Sequence, residues 1–337
     1  MIVVMRVAAT EEDIDRVVER IQQAGGEAKL DRGVERTIIG VRTGRHDLAP
    51  ESFKMLPGVE DAVRINKPYK LASREFHPSD TVFTLRGATF GGGNVVMVAG
   101  PCSIESEEQI LASARAVKAA GGKVLRGGAF KPRSSPYSFQ GLGEEGVRLL
   151  ADAGRETGLP VVTEVMHPRQ IDLVAAYADM IQVGARNMQN FDLLKELATV
   201  HKPILLKRGM AATVEDLLQS AEYLLAGGFD EVILCERGIR TFETATRSTL
   251  DLSAVPVLKK MSHLPVAVDP SHAAGQAGLV PALALAAVAA GADALLVEIH
   301  PDPATAKSDG PQSLTFAAFQ SLMEQCRRVA EALGRSL

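Results

Sequence analysis

Apolar positions change period along the chain. Residues 2–7 form a short apolar run, and Ile14, Val17, Val18 and Ile21 then recur at helical spacing up to Gly25 and Gly26. Ahead of them, Thr10-Glu11-Glu12-Asp13 has the form of a capping box with aspartate in the glutamate's place. Residues 27–31 and 37–41 read as a hairpin across Arg32-Gly33, 52–56 as a short helix and 59–65 as a last strand. The order β-α-β-β-α-β predicts a small ferredoxin-like domain over residues 1–66. Its charges form no cluster able to do chemistry. It therefore reads either as an oligomerisation module or as a small-molecule sensor.

Residues 67–80 are polar, hold two prolines and show no clear period, which predicts a linker. Residues 81–85 and 88–90, around Arg86-Gly87, suggest a hairpin of the kind that can close the bottom of a barrel. From residue 95 onward, eight short apolar runs (95–99, 123–126, 161–164, 180–183, 203–207, 231–235, 265–269 and 294–298) alternate with helical stretches. Eight such units predict an α/β fold, a (β/α)8 TIM barrel over residues 81–337 with the hairpin at its front. A doubly wound open sheet is the alternative. No G-x-G-x-x-G opens a helix after the first strand, which disfavours its dinucleotide-binding form.

Composition narrows the function. With 46% hydrophobic residues, 337 positions can bury a full core. The net charge of −4 gives no support to nucleic-acid binding. Three scattered cysteines, Cys102, Cys235 and Cys326, argue for a reducing compartment. The apolar run at the N-terminus is too short for a signal peptide, and residues 277–292 are too few to span a membrane. A cytoplasmic protein with no membrane partner is expected.

Polar residues stand at or just beyond nearly every predicted strand end, where the active sites of barrels lie. Arg126, Lys131 and Arg133, with Ser134 and Ser135, crowd one glycine-opened loop, and Arg186, Lys207, Arg208 and Arg237 follow other strands. Guanidinium forks and ammonium groups gathered there imply a substrate with more than one anionic group. Cys102, His272, Glu298 and Asp309 also fall beyond strand ends. A thiolate, an imidazole and two carboxylates suit a first-row divalent metal (Mn, Fe, Co or Zn) better than Mg. Glu164 and Asp269 are carboxylates able to move a proton.

The segments GPCSIES, VLRGGAFKPRSSPYSFQGLG, QVGARNMQNFDLL, LLKRGMAATVEDLL, ILCERGIRTFETATR, VDPSHAAG and EIHPDPATAKSDGPQSL resemble 3-deoxy-D-arabino-heptulosonate 7-phosphate (DAHP) synthase, type I beta class. The resemblance covers nearly the whole chain. It implies condensation of phosphoenolpyruvate with erythrose 4-phosphate, the first step of the shikimate route. It places Cys102, His272, Glu298 and Asp309 at the metal positions. Arg126, Lys131, Arg186, Lys207 and Arg237 fall where phosphoenolpyruvate is held, and Lys131, Pro132, Arg133 and Ser134 in the aldose-phosphate motif. Lys131 is then a candidate proton donor, with Glu164 or Asp269 candidates to activate water. The family further implies a homotetramer and a tyrosine or phenylalanine effector, although Lys29 and Asp31 depart from its pattern.

Three rivals stay open. The related 3-deoxy-D-manno-octulosonate 8-phosphate synthases read K-A-N-R-S where this chain has Lys131-Pro132-Arg133-Ser134. A Schiff-base aldolase would use Lys207. A non-catalytic phosphosugar sensor would bind without turnover.

Overall fold

The computed structural model describes every residue except 34–35, 43–47, 65–67, 132–134 and 136. The chain forms two compact units, Met1–Asp80 with Lys260–His263, and Thr81–Lys259 with Leu264–Leu337.

In the first unit β1 (Ile2–Met5), α1 (Glu11–Gln23), β2 (Glu27–Arg32), β3 (Thr37–Arg42), α2 (Pro50–Lys54) and β4 (Val59–Val63) follow in order. The strands make one antiparallel sheet, β2-β3-β1-β4, so the first strand lies inside it, between the third and the fourth. Alternation along β1 sends Val3 and Met5 into a core with Ile14, Val17 and Ile21 of α1, Ile39 of β3 and Phe53 of α2. The capping box opens α1: Thr10 Oγ1 accepts from the Asp13 N–H while Asp13 Oδ2 accepts from the Thr10 N–H. This is the ferredoxin-like arrangement read from the sequence. The segment after β4 is polar in sequence, yet Tyr69, Ala72, Ser73 and Phe76 are buried.

The second unit opens with a two-stranded hairpin, β5 (Phe83–Leu85) and β6 (Ala88–Phe90). Eight parallel strands follow: β7 (Val96–Gly100), β8 (Val124–Arg126), β9 (Val161–Val165), β10 (Met180–Val183), β11 (Ile204–Lys207), β12 (Val232–Glu236), β13 (Val266–Val268) and β14 (Ala294–Glu298). They close into a barrel through β14 pairing with β7. Outside it lie α3 (Glu107–Ala120), α4 (Glu144–Thr157), α5 (Ile171–Tyr177), α6 (Phe191–Leu197), α7 (Val214–Leu225), α8 (Ala254–Met261), α9 (Pro270–Ala274), α10 (Val280–Ala289) and α11 (Phe316–Ala332). The stretch 277–292 begins as a 3-10 turn, and α10 starts at Val280 with Pro281 in its first turn.

Phe83, Ala88 and Phe90 of the hairpin pack with Val96, Val124, Met180, Leu205, Ile233 and Ala294, which sit at the starts of the strands. The hairpin thus plugs the N-terminal end of the barrel. Side chains at the opposite end are left to build a site.

Candidate active site and metal centre

Three strand ends and one loop bring the four candidate ligands together. Cys102 lies just beyond β7, Glu298 ends β14, and Asp309 sits in the loop that follows. His272 is on α9, whose N-cap is Asp269. Asp269 Oδ1 accepts from the His272 N–H at 2.9 Å, and Oδ2 meets His272 Nδ1 at 2.7 Å, so one carboxylate caps the helix and turns the ring. Asp309 adopts a left-handed backbone, φ 50°, uncommon for residues with a side chain, though aspartate enters it more readily than most.

The Cys102 thiol, a His272 nitrogen and one oxygen from each of Glu298 and Asp309 all lie within 4.8 Å of one another. Ligands about 2.0–2.3 Å from one ion need to be gathered within a span of about 4.6 Å, so this donor set fits a metal with little closing. Nε2 of His272 stands 3.4 Å from Glu298 Oε1, and Cys102 Sγ 3.0 Å from Asp309 Oδ2. With Asp269 ionised, Nδ1 of His272 carries the proton and Nε2 keeps its lone pair for a cation.

The charge states follow from the surroundings. Burial, and then the Glu298 carboxylate, push the Cys102 thiol up to about 12, with Lys131 pulling the other way. Burial also lowers His272, against the pull of Asp269 and Glu298, so the ring is neutral. For Asp269, burial opposes ionisation, but His272 and Lys207 outweigh it and hold the carboxyl well below its usual range. Glu298 is lowered in the same way by His272 and Arg126 against its burial, and Asp309 by Cys102, His272 and Arg247.

A cavity of about 300 Å³ opens beside these ligands, and His272 and Asp309 form part of its wall. Lys131, Arg186, Lys207 and Arg237 line it, with Glu164. Lys131 Nζ donates to the carbonyl oxygen of Cys102 and approaches its sulfur, each at 3.0 Å. The lysine stem crosses where Gly128 lies: a Cβ there would meet Lys131 Cδ at 2.8 Å and the Cys102 carbonyl oxygen at 2.6 Å. Burial works against the Lys131 charge, but Cys102 and Glu298 prevail and raise its pKa. Lys207 is ion-paired with Asp269, and Glu164 Oε2 accepts from Gln182 Nε2 at 2.8 Å.

Two of the expected site residues lie behind this wall. Arg126 Nη1 donates to Glu298 Oε1 and to the Pro101 carbonyl, both at 2.8 Å, and Asp269 is engaged by Lys207 and His272. Arg208, read as a mouth residue from its place at a strand end, pairs with Glu236 at 2.8 Å and also holds Asp251. Pro132, Arg133 and Ser134 fall outside the described residues. Arg240, Arg247 and Ser248 line the cavity without having been singled out, although the segment ILCERGIRTFETATR contains both arginines. A larger groove of about 690 Å³, lined by residues such as Pro281, Pro303, Leu314 and Ala318, holds no charged side chain.

Fold and site together define a (β/α)8 barrel with a cation-lined cavity suited to anionic ligands, beside a sulfur, nitrogen and oxygen cluster that could hold a metal ion. The chain belongs to the DAHP synthetase I family, whose model matches residues 76–334, while the DAHP synthase ferredoxin-like domain matches residues 1–67. It is similar along its length to phospho-2-dehydro-3-deoxyheptonate aldolase of Thermotoga maritima, with 50% identity over 334 residues, 99% of each chain. The crystal structure of that aldolase (DAHP synthase) covers 99% of this chain and 98% of its own, with 49% identity and a TM-score of 0.79. A truncated form of 3-deoxy-D-arabino-heptulosonate 7-phosphate synthase from Thermotoga maritima covers 80% of this chain and 99% of its own, with 48% identity and a TM-score of 0.75. A 2-dehydro-3-deoxyphosphooctonate aldolase of Acidithiobacillus ferrooxidans is 33% identical over 245 residues, 67% of this chain and 86% of the relative.

Proposed function

We propose that this chain condenses phosphoenolpyruvate with erythrose 4-phosphate, giving 3-deoxy-D-arabino-heptulosonate 7-phosphate and inorganic phosphate at the entry to the shikimate route. The observation that carries the reading is the four-ligand cluster on the wall of a cavity lined by cations. Two phosphates and a carboxylate must share one pocket, and Lys131, Arg186, Lys207 and Arg237 supply fixed positive charge for them. Arg126 belongs to the same set, with its Nη1 shared by Glu298. Arg133 and Ser134 are assigned to the aldose phosphate.

The ligand set favours Mn, Fe, Co or Zn over Mg because one donor is a thiolate. Cys102, His272, Glu298 and Asp309 would hold a divalent ion, which when bound would supply Lewis acidity for the aldehyde. The cations hold phosphoenolpyruvate so that C3 faces the aldehyde carbon, and the new C–C bond leaves an alkoxide and a cationic C2. Lys131, kept as an ammonium by its neighbours, donates a proton to the alkoxide. Glu164, on the cavity wall, takes a proton from the water that adds to C2; Asp269, engaged behind His272, is the weaker candidate. Collapse of the resulting hemiketal phosphate breaks the C2–O bond and releases phosphate.

The Lys207 pairing with Asp269 disfavours a Schiff base there. The N-terminal unit serves as a sensor for tyrosine or phenylalanine, and the protein works as a cytoplasmic homotetramer. Phosphate release with either aldose phosphate tests the substrate assignment. Release with erythrose 4-phosphate and none with arabinose 5-phosphate is expected; the reverse preference would move the chain to the octulosonate reaction.

A further inference from the structure

Arg247 and Gln312 join the two carboxylates of the cluster from outside. Arg247 Nη1 donates to Asp309 Oδ1 at 3.0 Å and to Gln312 Oε1 at 2.9 Å. Gln312 Nε2 then donates to Glu298 Oε2 at 2.5 Å. Each carboxylate is thereby split in function. Asp309 Oδ2 meets Cys102 and Glu298 Oε1 meets His272 while also accepting from Arg126, and the second oxygen of each accepts from the strap. The strap crosses between elements: Arg247 follows β12 and Gln312 follows β14, and the Arg247 N–H donates to the Ala274 carbonyl at 3.2 Å, beside the helix of His272. Its path is built in, since a Cβ on Gly275 would lie 2.6 Å from Cβ of Arg247, and Gly275 has φ +69°. Gln312 is buried, so its amide is a fixed part and not a surface group.

We propose that Arg247 and Gln312 are positioning residues that hold Glu298 and Asp309 to one-oxygen ligation and so set the coordination number of the ion. The inference rests on the metal reading of the cluster. A bidentate carboxylate occupies two positions on an ion; fixing its outer oxygen leaves the position open for a substrate oxygen. Arg247 also lines the cavity, so the same side chain touches both the cluster and the proposed substrate space.

Co²⁺ titration into the metal-free full-length protein tests this, read by the thiolate-to-cobalt charge-transfer band, the d–d bands and chelator competition. The wild type is expected to bind one ion with the intense d–d bands of four or five ligands. Gln312→Leu and Arg247→Ala should bind about 10–100-fold more weakly and show the fainter bands of a higher coordination number. Arg247→Lys, which restores one donor, should recover part of the affinity. Circular dichroism of the metal-free variants checks that they are folded. Absence of a cobalt–thiolate band in the wild type would sink the metal reading itself. A normal wild type whose two variants match it in both affinity and spectrum would overturn the strap alone.

Discussion

At the residue scale, the cluster has one proton too many. His272 is neutral, Glu298 and Asp309 are ionised, and Cys102 is a thiol with its pKa pushed up to about 12. A metal ion binding near pH 7 should therefore release about one proton per ion, and that proton comes from sulfur. Because the thiol is raised, apparent affinity should climb as pH rises from 6 to 9. Titration with Mn²⁺ in weakly buffered solution measures the proton directly. Cys102→Ala should release none, bind metal far more weakly and lose turnover while remaining folded. Two protons per ion, or none, would contradict these charge states. The four residues of the cluster were legible in the sequence because all carry side chains that bind metals and three of them stand at or near strand ends. Arg247 and Gln312 were not, since an arginine and a glutamine in a loop look like surface until the fold brings them to two carboxylates.

At the element scale, the plug under the barrel separates stability from chemistry. Phe90 is fully buried and stacks on Phe83 with ring centroids 5.2 Å apart. Phe90→Ala should cost about 3–5 kcal/mol in urea unfolding, through lost burial and the cavity left behind. The affinity for phosphoenolpyruvate, whose proposed site lies at the other end of the strands, should stay within about twofold. A large loss of affinity with unchanged stability would reverse that division. The eight strands were readable to within a residue or two because each is a short apolar run bounded by polar ends. What the strand ends would face was less readable. Arg208 and Glu236 satisfy each other, and Asp269 spends its oxygens on Lys207 and His272, because a buried charge must be paired wherever it lies. Periodicity reports which residues reach the mouth, and pairing then decides which remain available there.

At the scale of the whole molecule, the first unit has its own sheet and core, and the second contains every described group of the site. Removing residues 1–75 should leave turnover largely intact and abolish inhibition by tyrosine or phenylalanine. Inhibition that survives the truncation unchanged would end the sensor reading. The proposed reaction is metal-assisted condensation in the cation-lined cavity. Phosphate release from phosphoenolpyruvate, with and without erythrose 4-phosphate, before and after EDTA and then with Mn²⁺ restored, tests it most directly. Release that requires the aldose, disappears with EDTA and returns with Mn²⁺ is the predicted result. Aldose-dependent release at full rate in a protein shown to be metal-free would contradict it.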